Sequence, residues 1–456
     1  MKIHNLNVSL KGFVFVGILL IILNSSLLSL EGQAQPRLFT VEELQADFQQ
    51  ITELMKKGHS ILYKFTDKRV LDQFVKDQYA KIDKPMSFAE FYRIVSPMLA
   101  KVGCGHTSLW LPKGYWKNTK PKLMPLRLVF LDGKAYAWRF YREVEGIPEG
   151  IEILSINGIP IPEILDALRA NISADGFIDS RKMYKINQCP SFFYGLQFGF
   201  PDRFRFVCRL SGRSEPLSFE CESVDLETVE DAKAEINTTE FNPLDFTLDL
   251  EILDQSDTAI LTIRSFVYYE NPEKFNHFID EAFDRMRDLK IKNLILDLRN
   301  NGGGNPYCTS HLFSYLIPEP LPYFAEEYRG YAQLAAPIPV AKNAFDGKLV
   351  ILINGGCFSS TPHLCALLKR HKIGIFVGTE TGATYTCNGA TREIKLSHTG
   401  AIVVVSRRSY AAAVDGFPDD RGILPDHTVM PRIDDLVEGR DVQKKFALWL
   451  TTQSHS

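Results

Sequence analysis

The chain has 456 residues, of which 45% are apolar and 23% are charged, and its formal net charge at pH 7 is −3. This length allows two or three domains around one substantial core, and the composition is that of an ordinary globular protein. The small net charge and the lack of basic runs or tandem repeats give no reason to expect nucleic acid or an anionic membrane surface as a partner.

The amino terminus has the pattern of an export signal. Lys2 and Lys11 precede an apolar run at residues 12–23, and small residues follow up to Ala34. This pattern predicts a secretory signal peptide over residues 1–34, cut after Ala34. An uncleaved membrane anchor is the alternative, because further leucines extend the apolar run. We therefore expect a secreted or periplasmic protein, with membrane contact only through an uncleaved signal.

Two regions of different texture follow the signal. Residues 35–118 form an N-terminal helical region, in which apolar residues recur three and four positions apart. Residues 119–235 contain short alternating runs separated by Gly, Asp and Pro turns, which predict a small β-rich module. Within this module, residues 147–172 resemble the PDZ-like modules that hold peptide ends by adding a strand to a sheet edge.

Residues 236–456 are predicted to be an α/β core. Apolar strands and amphipathic helices alternate along this region in the order β-α-β-α-β-α-β. The predicted strands are residues 259–266, 293–298, 348–354 and 373–382. This order implies parallel pairing with right-handed crossovers.

The cysteines and histidines show no metal-binding pattern. None of the eight cysteines forms a C-x-x-C pair, which argues against a zinc ribbon or a thioredoxin-like site. No His, Cys and Glu set has metal-ligand spacing, so we expect no metal. We expect scattered buried thiols as the default, and a Cys208–Cys221 disulfide across a hairpin is the alternative.

Two glycine-rich turns follow buried strands of the predicted core. Residues 299–304, RNNGGG, offer consecutive backbone N–H groups, and GGCFSS presents Ser359 just before a predicted helix. Neither turn has phosphate-loop or dinucleotide spacing, so no nucleotide is expected. Ligands of parallel sheets bind at such strand ends. Ser359 is therefore either a helix cap or a nucleophile beside amides that can hold an oxyanion.

A serine nucleophile needs a base, and His106 is the leading candidate among ten histidines. It lies in KVGCGHTSLW, a glycine-flanked turn between the helical region and a β run, where a side chain can project into a cleft. A structural role in this turn is the alternative. His363, one helical turn after Ser359, is the second candidate base.

Several segments together carry a family resemblance. These segments are GHT, NLILDLRNNGGGN, ILINGGCFSST, GTETG and RGILPD. They resemble the C-terminal processing (tail-specific) serine peptidase family, in the branch of the tricorn core protease and interphotoreceptor retinoid-binding protein. The resemblance extends from about residue 40 to residue 432. It implies a ClpP/crotonase-like α/β core that cleaves peptide bonds with a serine.

The resemblance also implies roles for individual residues. Ser359 matches the family's nucleophile, and His106 matches the general base of the tricorn-like branch. The N–H groups of Gly303 and Ser360 match the oxyanion hole. A second branch uses a lysine base, but Thr384 occupies the corresponding position here.

The remaining roles are implied by residues that flank these motifs. Asp419 is assigned to orient the base, at a position where relatives tend to have Glu, and Asp420 is the alternative. Gly105 replaces the serine that precedes the family's histidine. Arg299 and Asp297 are expected to have structural roles. Arg299 anchors the glycine loop, and Asp297 hydrogen-bonds to the backbone of this loop.

The sequence thus predicts an exported serine endopeptidase that forms a Ser359 acyl-enzyme, with His106 as base. Its expected partner is a peptide or protein substrate, without a cofactor. A non-catalytic lipid- or peptide-binding protein on the same fold is the alternative, favoured by Gly105 and by the Phe-rich residues 191–200. An acyl-CoA enzyme of crotonase type is disfavoured by the export signal.

Overall fold

The structure is a computed structural model that describes residues 37–210, 214–235, 247–253 and 257–453. The predicted signal peptide lies outside the described residues. Within these ranges, no helix combines the length and the apolar character that a membrane crossing requires.

The amino-terminal region is built mainly from helices. Its elements are β1 (Leu38–Phe39), α1 (Val41–Gly58), α2 (Lys68–Tyr79), β2 (Met86–Ser87), α3 (Phe88–Ala100), β3 (Ser108–Trp110) and α4 (Tyr115–Thr119). Helices α1 and α3 both begin in capping boxes, in which Thr40 and Ser87 exchange hydrogen bonds with Glu43 and Glu90. The apolar faces of these helices pack into one cluster.

The middle region combines an antiparallel sheet with helices. Its elements are β4 (Leu126–Leu131), β5 (Lys134–Phe140), β6 (Ile151–Ile156), β7 (Ile159–Pro160), α5 (Ile161–Ala170), α6 (Asp179–Gln188), α7 (Pro190–Phe198), β8 (Arg203–Arg209), β9 (Leu217–Glu222) and α8 (Leu226–Glu235). The strands pair in the order β4-β5-β6-β8-β9, with β7 beside β6. The β-rich texture is therefore present, and the likeness to a PDZ-like module stays a prediction.

The Phe-rich segment and the cysteine pair of this region have structural explanations. Helix α7 places Leu196 in the amino-terminal cluster and Tyr194 in the cluster of the β4–β9 sheet, so the segment packs between two regions. Cys208 lies opposite Leu217 in the β8–β9 ladder, and Cys221 lies opposite Phe204. Both thiols are free, because this register holds them four residue pairs apart.

The carboxyl-terminal region is the predicted α/β core. Its first elements are β10 (Leu248–Ile252), β11 (Thr258–Ile263), α9 (Pro272–Asp288), β12 (Asn293–Asp297), α10 (Pro306–Ser314), β13 (Leu321–Pro322), a 3₁₀ turn (Ala332–Ala335), β14 (Pro337–Ile338), β15 (Lys348–Ile353) and α11 (Ser360–Arg370). The later elements are β16 (Ile375–Gly378), β17 (Thr386–Gly389), β18 (Arg392–Lys395), β19 (Ile402–Val405), β20 (Arg408–Ala411), β21 (His427–Thr428), α12 (Ile433–Val437) and α13 (Val442–Thr452).

The main sheet has the strand order β10-β11-β12-β15-β16-β21. Strands β11, β12, β15 and β16 pair in parallel, which confirms the topology predicted from the sequence. Strand β12 is covered on both faces, since Leu294 and Leu296 join one apolar cluster and Ile295 joins another. This burial explains its continuous apolar run.

The amino-terminal helices are fastened to the core at two points. Strand β3 pairs with β19 at the edge of a three-stranded sheet. Next to this pairing, the buried carboxylate of Asp47 accepts hydrogen bonds from the backbone N–H of His398 at 3.0 Å, and from the N–H and the hydroxyl of Thr399 at 2.8 and 2.7 Å. The turn that carries His106 lies directly before β3, so this joint also positions His106.

Asp47→Ala tests this joint. The substitution leaves three donors of residues 398–399 without an acceptor, two of them on buried Thr399, and we expect the free energy of unfolding to fall by about 3 kcal/mol. Urea unfolding measures the loss. Asp77→Ala removes an exposed carboxylate of α2 and serves as the control. Equal stability of the two variants would contradict the proposed joint.

Candidate active site

Ser359 lies at the turn between β15 and α11, in a strained backbone conformation. Its φ of 60° and ψ of −120° are rare for a residue with a side chain, and its hydroxyl makes no cap hydrogen bond to the helix. Strained strand-to-helix turns of this type expose a nucleophilic serine in other hydrolase folds. Between the two readings of Ser359, the geometry therefore favours the nucleophile over the helix cap.

The glycine loop after β12 packs directly against this turn. Gly303 has a φ of 89°, and a Cβ atom there would lie 2.5 Å from the Phe358 carbonyl oxygen and 2.7 Å from Ser359 Cβ. Only glycine permits this approach. The backbone N–H of Gly303, a predicted oxyanion donor, donates instead to Asn301 Oδ1 at 2.9 Å. In this conformation it is not free for an oxyanion.

Asn301 connects the glycine loop to the neighbouring turns. Its Oδ1 also accepts from the Thr361 hydroxyl at 2.9 Å, and its Nδ2 donates to the Ile263 carbonyl at 3.0 Å. Its own carbonyl accepts from Phe358 N–H at 3.0 Å. The side chain is fully buried, so each of these bonds is shielded from water.

His106 reaches the same site from the amino-terminal region. Its Nε2 lies 3.8 Å from Cys387 Sγ, and Ser359 Oγ lies 3.3 Å from the same sulfur. The imidazole stacks on Phe358, with ring centroids 4.4 Å apart. Burial, together with the charge of Arg181, lowers the pKa of His106 to about 3. The imidazole is therefore neutral at pH 7, as a general base must be.

Cys387 lies between the two predicted catalytic groups, and none of the sequence motifs includes it. It lies on β17 and is buried, and burial raises the pKa of its thiol to about 12. The thiol is therefore neutral and cannot itself act as a base at pH 7. Its position means that Ser359 and His106 share a sulfur contact in this conformation.

Asp175 is a second residue that the motifs did not indicate. Its Oδ1 accepts from the backbone N–H of Gly105 at 2.8 Å, directly beside His106. Burial raises the pKa of this carboxyl to about 6. Asp175 Oδ2 and His106 Nδ1 are both buried without a hydrogen-bond partner among the described residues.

The structure explains why glycine replaces serine before His106. A Cβ atom at Gly105 would lie 2.7 Å from the ring of Phe358. The guanidinium of Arg181 covers the same ring, 3.9 Å from its centroid. Phe358 is thus part of a stack with Arg181 and His106, and a larger residue at position 105 would displace this ring.

Asp419 and Asp420 do not bond to the imidazole in this structure. The Asp419 carboxylate forms an ion pair with Lys64 at 2.8 Å and is half exposed. The carbonyl of Asp420 accepts from Phe177 N–H at 3.0 Å. Because His106 Nδ1 has no partner in the described part of the chain, the orienting role of Asp419 stays a prediction.

A hydrogen bond from His59 to Thr107 holds the turn GHT in place. Nδ1 of His59 accepts from Ile61 N–H at 3.0 Å, so the ring proton is on Nε2, which donates to Thr107 Oγ1 at 2.8 Å. Burial lowers the pKa of His59 to about 4. His59 therefore orients the residue next to His106.

His363, the second candidate base, is packed among aromatic rings of the core. It is buried in α11 and packs edge-on against Tyr323 and Phe324, with ring centroids 6.2 and 5.7 Å away. Neither ring nitrogen has a hydrogen-bond partner among the described residues. His363 is a core residue in this structure.

Arg299 and Asp297 make the contacts expected of structural residues. Arg299 binds Asp297 through Nε at 2.9 Å and Asp441 through both terminal nitrogens, at 2.8 and 2.7 Å. Burial alone raises the pKa of Asp297, but Arg299 and Arg264 together hold it well below its usual range. This network fixes the start of the glycine loop. Over the residues the structure describes, no group of three or more His, Cys, Asp and Glu side chains is placed to hold a metal ion.

Comparisons with known proteins agree with this geometry. Residues 257–429 match peptidase family S41, a range that includes Gly303, Ser359 and Cys387 and excludes His106. A search among curated proteins found no match.

Solved structures share the fold over most of the chain. Mature CPAF has a TM-score of 0.61 at 13% sequence identity, covering 90% of this chain and 96% of that chain. Mature CPAF complexed with lactacystin has a TM-score of 0.62 at 13% identity, covering 90% and 97%. The photosystem II D1 C-terminal processing protease has a TM-score of 0.42 at 16% identity, covering 87% and 96%. The two CPAF structures show that the fold extends beyond the family match.

Asn301→Ala tests the connection between the turns. It leaves the Gly303 N–H and the Ile263 carbonyl unpaired in the core, and we expect the free energy of unfolding to fall by about 3 kcal/mol or more. Chemical denaturation measures this loss. Asn118→Ala, at an exposed position of α4, is the control. A variant as stable as the control would show that the turns hold their shape without Asn301.

His363→Leu tests the buried imidazole through the pH dependence of stability. Burial lowers the pKa of His363 to about 4, whereas an imidazole in the unfolded chain titrates near 6.5. Between these values the unfolded state binds one more proton, so the folded state loses stability as pH falls from about 6.5 to about 4. The substitution should flatten the slope by up to about 1.4 kcal/mol per pH unit.

Urea unfolding at pH 7 and pH 5 measures the two slopes. His371→Leu, which removes an exposed imidazole at the end of the same helix, is the matched control. Identical slopes for His363→Leu and the unmodified protein would contradict the buried, neutral state.

Proposed function

We propose that this chain, which carries a peptidase family S41 domain over residues 257–429, is a serine peptidase that cleaves peptide bonds through a Ser359 acyl-enzyme. The observation that carries the proposal is the strained backbone of Ser359 at the start of α11, where its hydroxyl makes no cap hydrogen bond to the helix. The Ser359 hydroxyl and His106 Nε2 both contact the sulfur of Cys387. The contact of His106 Nε2 with the same sulfur supports His106 as the base.

The first step forms the bond between Ser359 Oγ and the substrate carbonyl carbon. Nε2 of His106 takes the hydroxyl proton, and the resulting imidazolium then donates it to the leaving amine as the C–N bond breaks. Water, deprotonated by the same nitrogen, hydrolyses the acyl-enzyme. For this transfer the imidazole must move from Cys387 onto Ser359, a closing of distance that is common when substrate binds.

The oxyanion is assigned to the amino terminus of α11. The N–H of Ser360 is the first of the helix and lies next to the nucleophile, where the helix dipole favours negative charge. Gly303 packs against the Phe358–Ser360 backbone, and its N–H becomes a second donor if it exchanges its bond to Asn301. Loss of one such donor costs about 3–4 kcal/mol in barriers of this type.

Asp175 is assigned as a positioning residue for the base. Its bond to Gly105 N–H fixes the backbone beside His106, and its second oxygen has no hydrogen-bond partner among the described residues. Asp419 keeps its sequence-based assignment as the alternative, which requires it to leave Lys64.

The mode of action and the location belong to the same proposal. We infer endopeptidase action on peptides or proteins, outside the cytoplasm. The amino-terminal export pattern supports this location.

A fluorophosphonate probe tests the assignment of nucleophile and base. We expect stoichiometric labelling on Ser359, no labelling of Ser359→Ala, and labelling at least about 100-fold slower in His106→Ala, since general bases contribute at least that much. Cys387→Ala should keep labelling within about tenfold, because a neutral thiol supplies no base. Peptide mapping by mass spectrometry locates the label.

The controls separate chemistry from folding. Cys365→Ala removes another buried thiol of the core, further along α11, and thermal midpoints show whether each variant is folded. Labelling that persists in folded Ser359→Ala would overturn the proposed nucleophile. Labelling lost in Cys387→Ala as completely as in His106→Ala would place the thiol in the proton path.

A further inference from the structure

A cavity beside strand β20 collects three arginines. Its volume is about 490 Å³, and its lining includes Arg329, Arg407 and Arg408 together with Glu327 and Tyr328. The three arginines are exposed and come from two segments that are far apart in sequence. The cavity is therefore a product of the tertiary fold rather than of a local basic run.

The arginines of this cavity lack the carboxylate partners that other arginines have. Arg299 and Arg421, for example, form ion pairs with Asp441 and Glu380. In the described part of the chain, no ion pair joins the cavity arginines to a carboxylate, and Glu327 leaves the lining with an excess of two positive charges. Converging like charges are unfavourable unless an anion binds between them.

The strand ladder places this cavity on the same face as the catalytic groups. In the β17–β20 pair, Cys387 is opposite Tyr410, and Gly389 is opposite Arg408. Alternate residues of a strand point to one face, so Cys387, Tyr410 and Arg408 share a face of this ribbon. Cys387 Sγ is 3.3 Å from Ser359 Oγ. Along the ribbon, Arg408 is thus displaced from Cys387 by two residues of strand, about 7 Å.

Aromatic packing fixes the other wall of the cavity. Tyr328 and Tyr331 pack against Tyr410, with ring centroids 4.9 and 6.0 Å apart. The hydroxyl of Tyr328 accepts from Ala411 N–H at 2.9 Å. The segment that carries Arg329 is therefore bound to β20. Since this segment is already ordered, its loss of conformational entropy when a ligand binds is small.

We propose that this arginine cavity is a specificity subsite that binds a carboxylate of the peptide substrate, about two to four residues from the scissile bond. The guanidinium fork matches a carboxylate with two hydrogen bonds, and the exposed position lets either an Asp or Glu side chain or a terminal carboxylate enter. This inference rests on the proposed function, since it extends the substrate groove of the same site.

Fluorogenic peptides test the subsite. One series places Glu or its neutral isostere Gln at each position on both sides of a cleavable bond, and a second compares a free carboxyl terminus with its amide. We expect kcat/KM at least about tenfold higher for the carboxylate member at one position, mainly through a lower KM. The peptide position that shows this preference tells how many residues separate the carboxylate from the scissile bond. The two series distinguish binding of a side-chain carboxylate from binding of a terminal carboxylate.

Variants connect this preference to the cavity. The double variant Arg329→Gln/Arg408→Gln should lose the preference and cleave the neutral peptides as before. Arg205→Gln, at an exposed arginine of β8, should keep it. Added salt should weaken it, because the charges are exposed. Equal cleavage of the charged and neutral members at every position, or a preference that survives in the double variant, would overturn the inference.

A binding measurement separates this inference from the proposed function. Calorimetry with the Ser359→Ala protein and a Glu-containing peptide needs no hydrolysis. Binding that is weakened at least about tenfold by Arg329→Gln/Arg408→Gln, or by exchange of Glu for Gln, supports the subsite even if no peptide is cleaved. Cleavage with no carboxylate preference in either experiment refutes the subsite and leaves the peptidase assignment intact.

Discussion

The side chain of Asn301 is the point on which the geometry of the site depends. One carboxamide, fully buried, connects the carboxyl end of β11, the glycine loop after β12 and the start of α11. Parallel strands bring their carboxyl ends to one edge of the sheet, but that alone does not fix the turns between them. The amide supplies an acceptor and a donor at the centre of these turns. Asp would replace this donor by a second acceptor, directed at the Ile263 carbonyl.

This fixed edge allows Ser359 to keep an unfavourable conformation. A non-glycine residue with such φ and ψ values costs about 1–3 kcal/mol and persists only where its surroundings determine it. Two neighbours supply this constraint. The glycine loop lies against the Phe358–Ser360 backbone, and the ring of Phe358 is held between Arg181 and His106. The strain of Ser359 and the position of His106 therefore have a common origin in Phe358, the residue before the serine.

Much of the core could be predicted from the sequence because its signals are local. Continuous apolar strands, glycine turns and the serine before a helix each occupy a few consecutive residues, and β12, β15 and Ser359 follow from them. Cys387, Asp175 and Arg181 could not be found in this way, because each becomes relevant only through contacts with chain segments far away in sequence. The placement of Asp419 illustrates the same limit, because its motif gives no sign of the ion pair with Lys64 from the helical region.

The candidate site is assembled from three separate stretches of the chain. His106 comes from the amino-terminal region, Asp175 and Arg181 come from the middle region, and Ser359 comes from the core. A recombinant piece trimmed to residues 257–429 would keep Ser359 and lose His106, the proposed proton acceptor. The range that matches the family is thus shorter than the part of the chain that forms the candidate site. Because β3 pairs with β19, a displacement of the amino-terminal helices would also move the turn that carries His106.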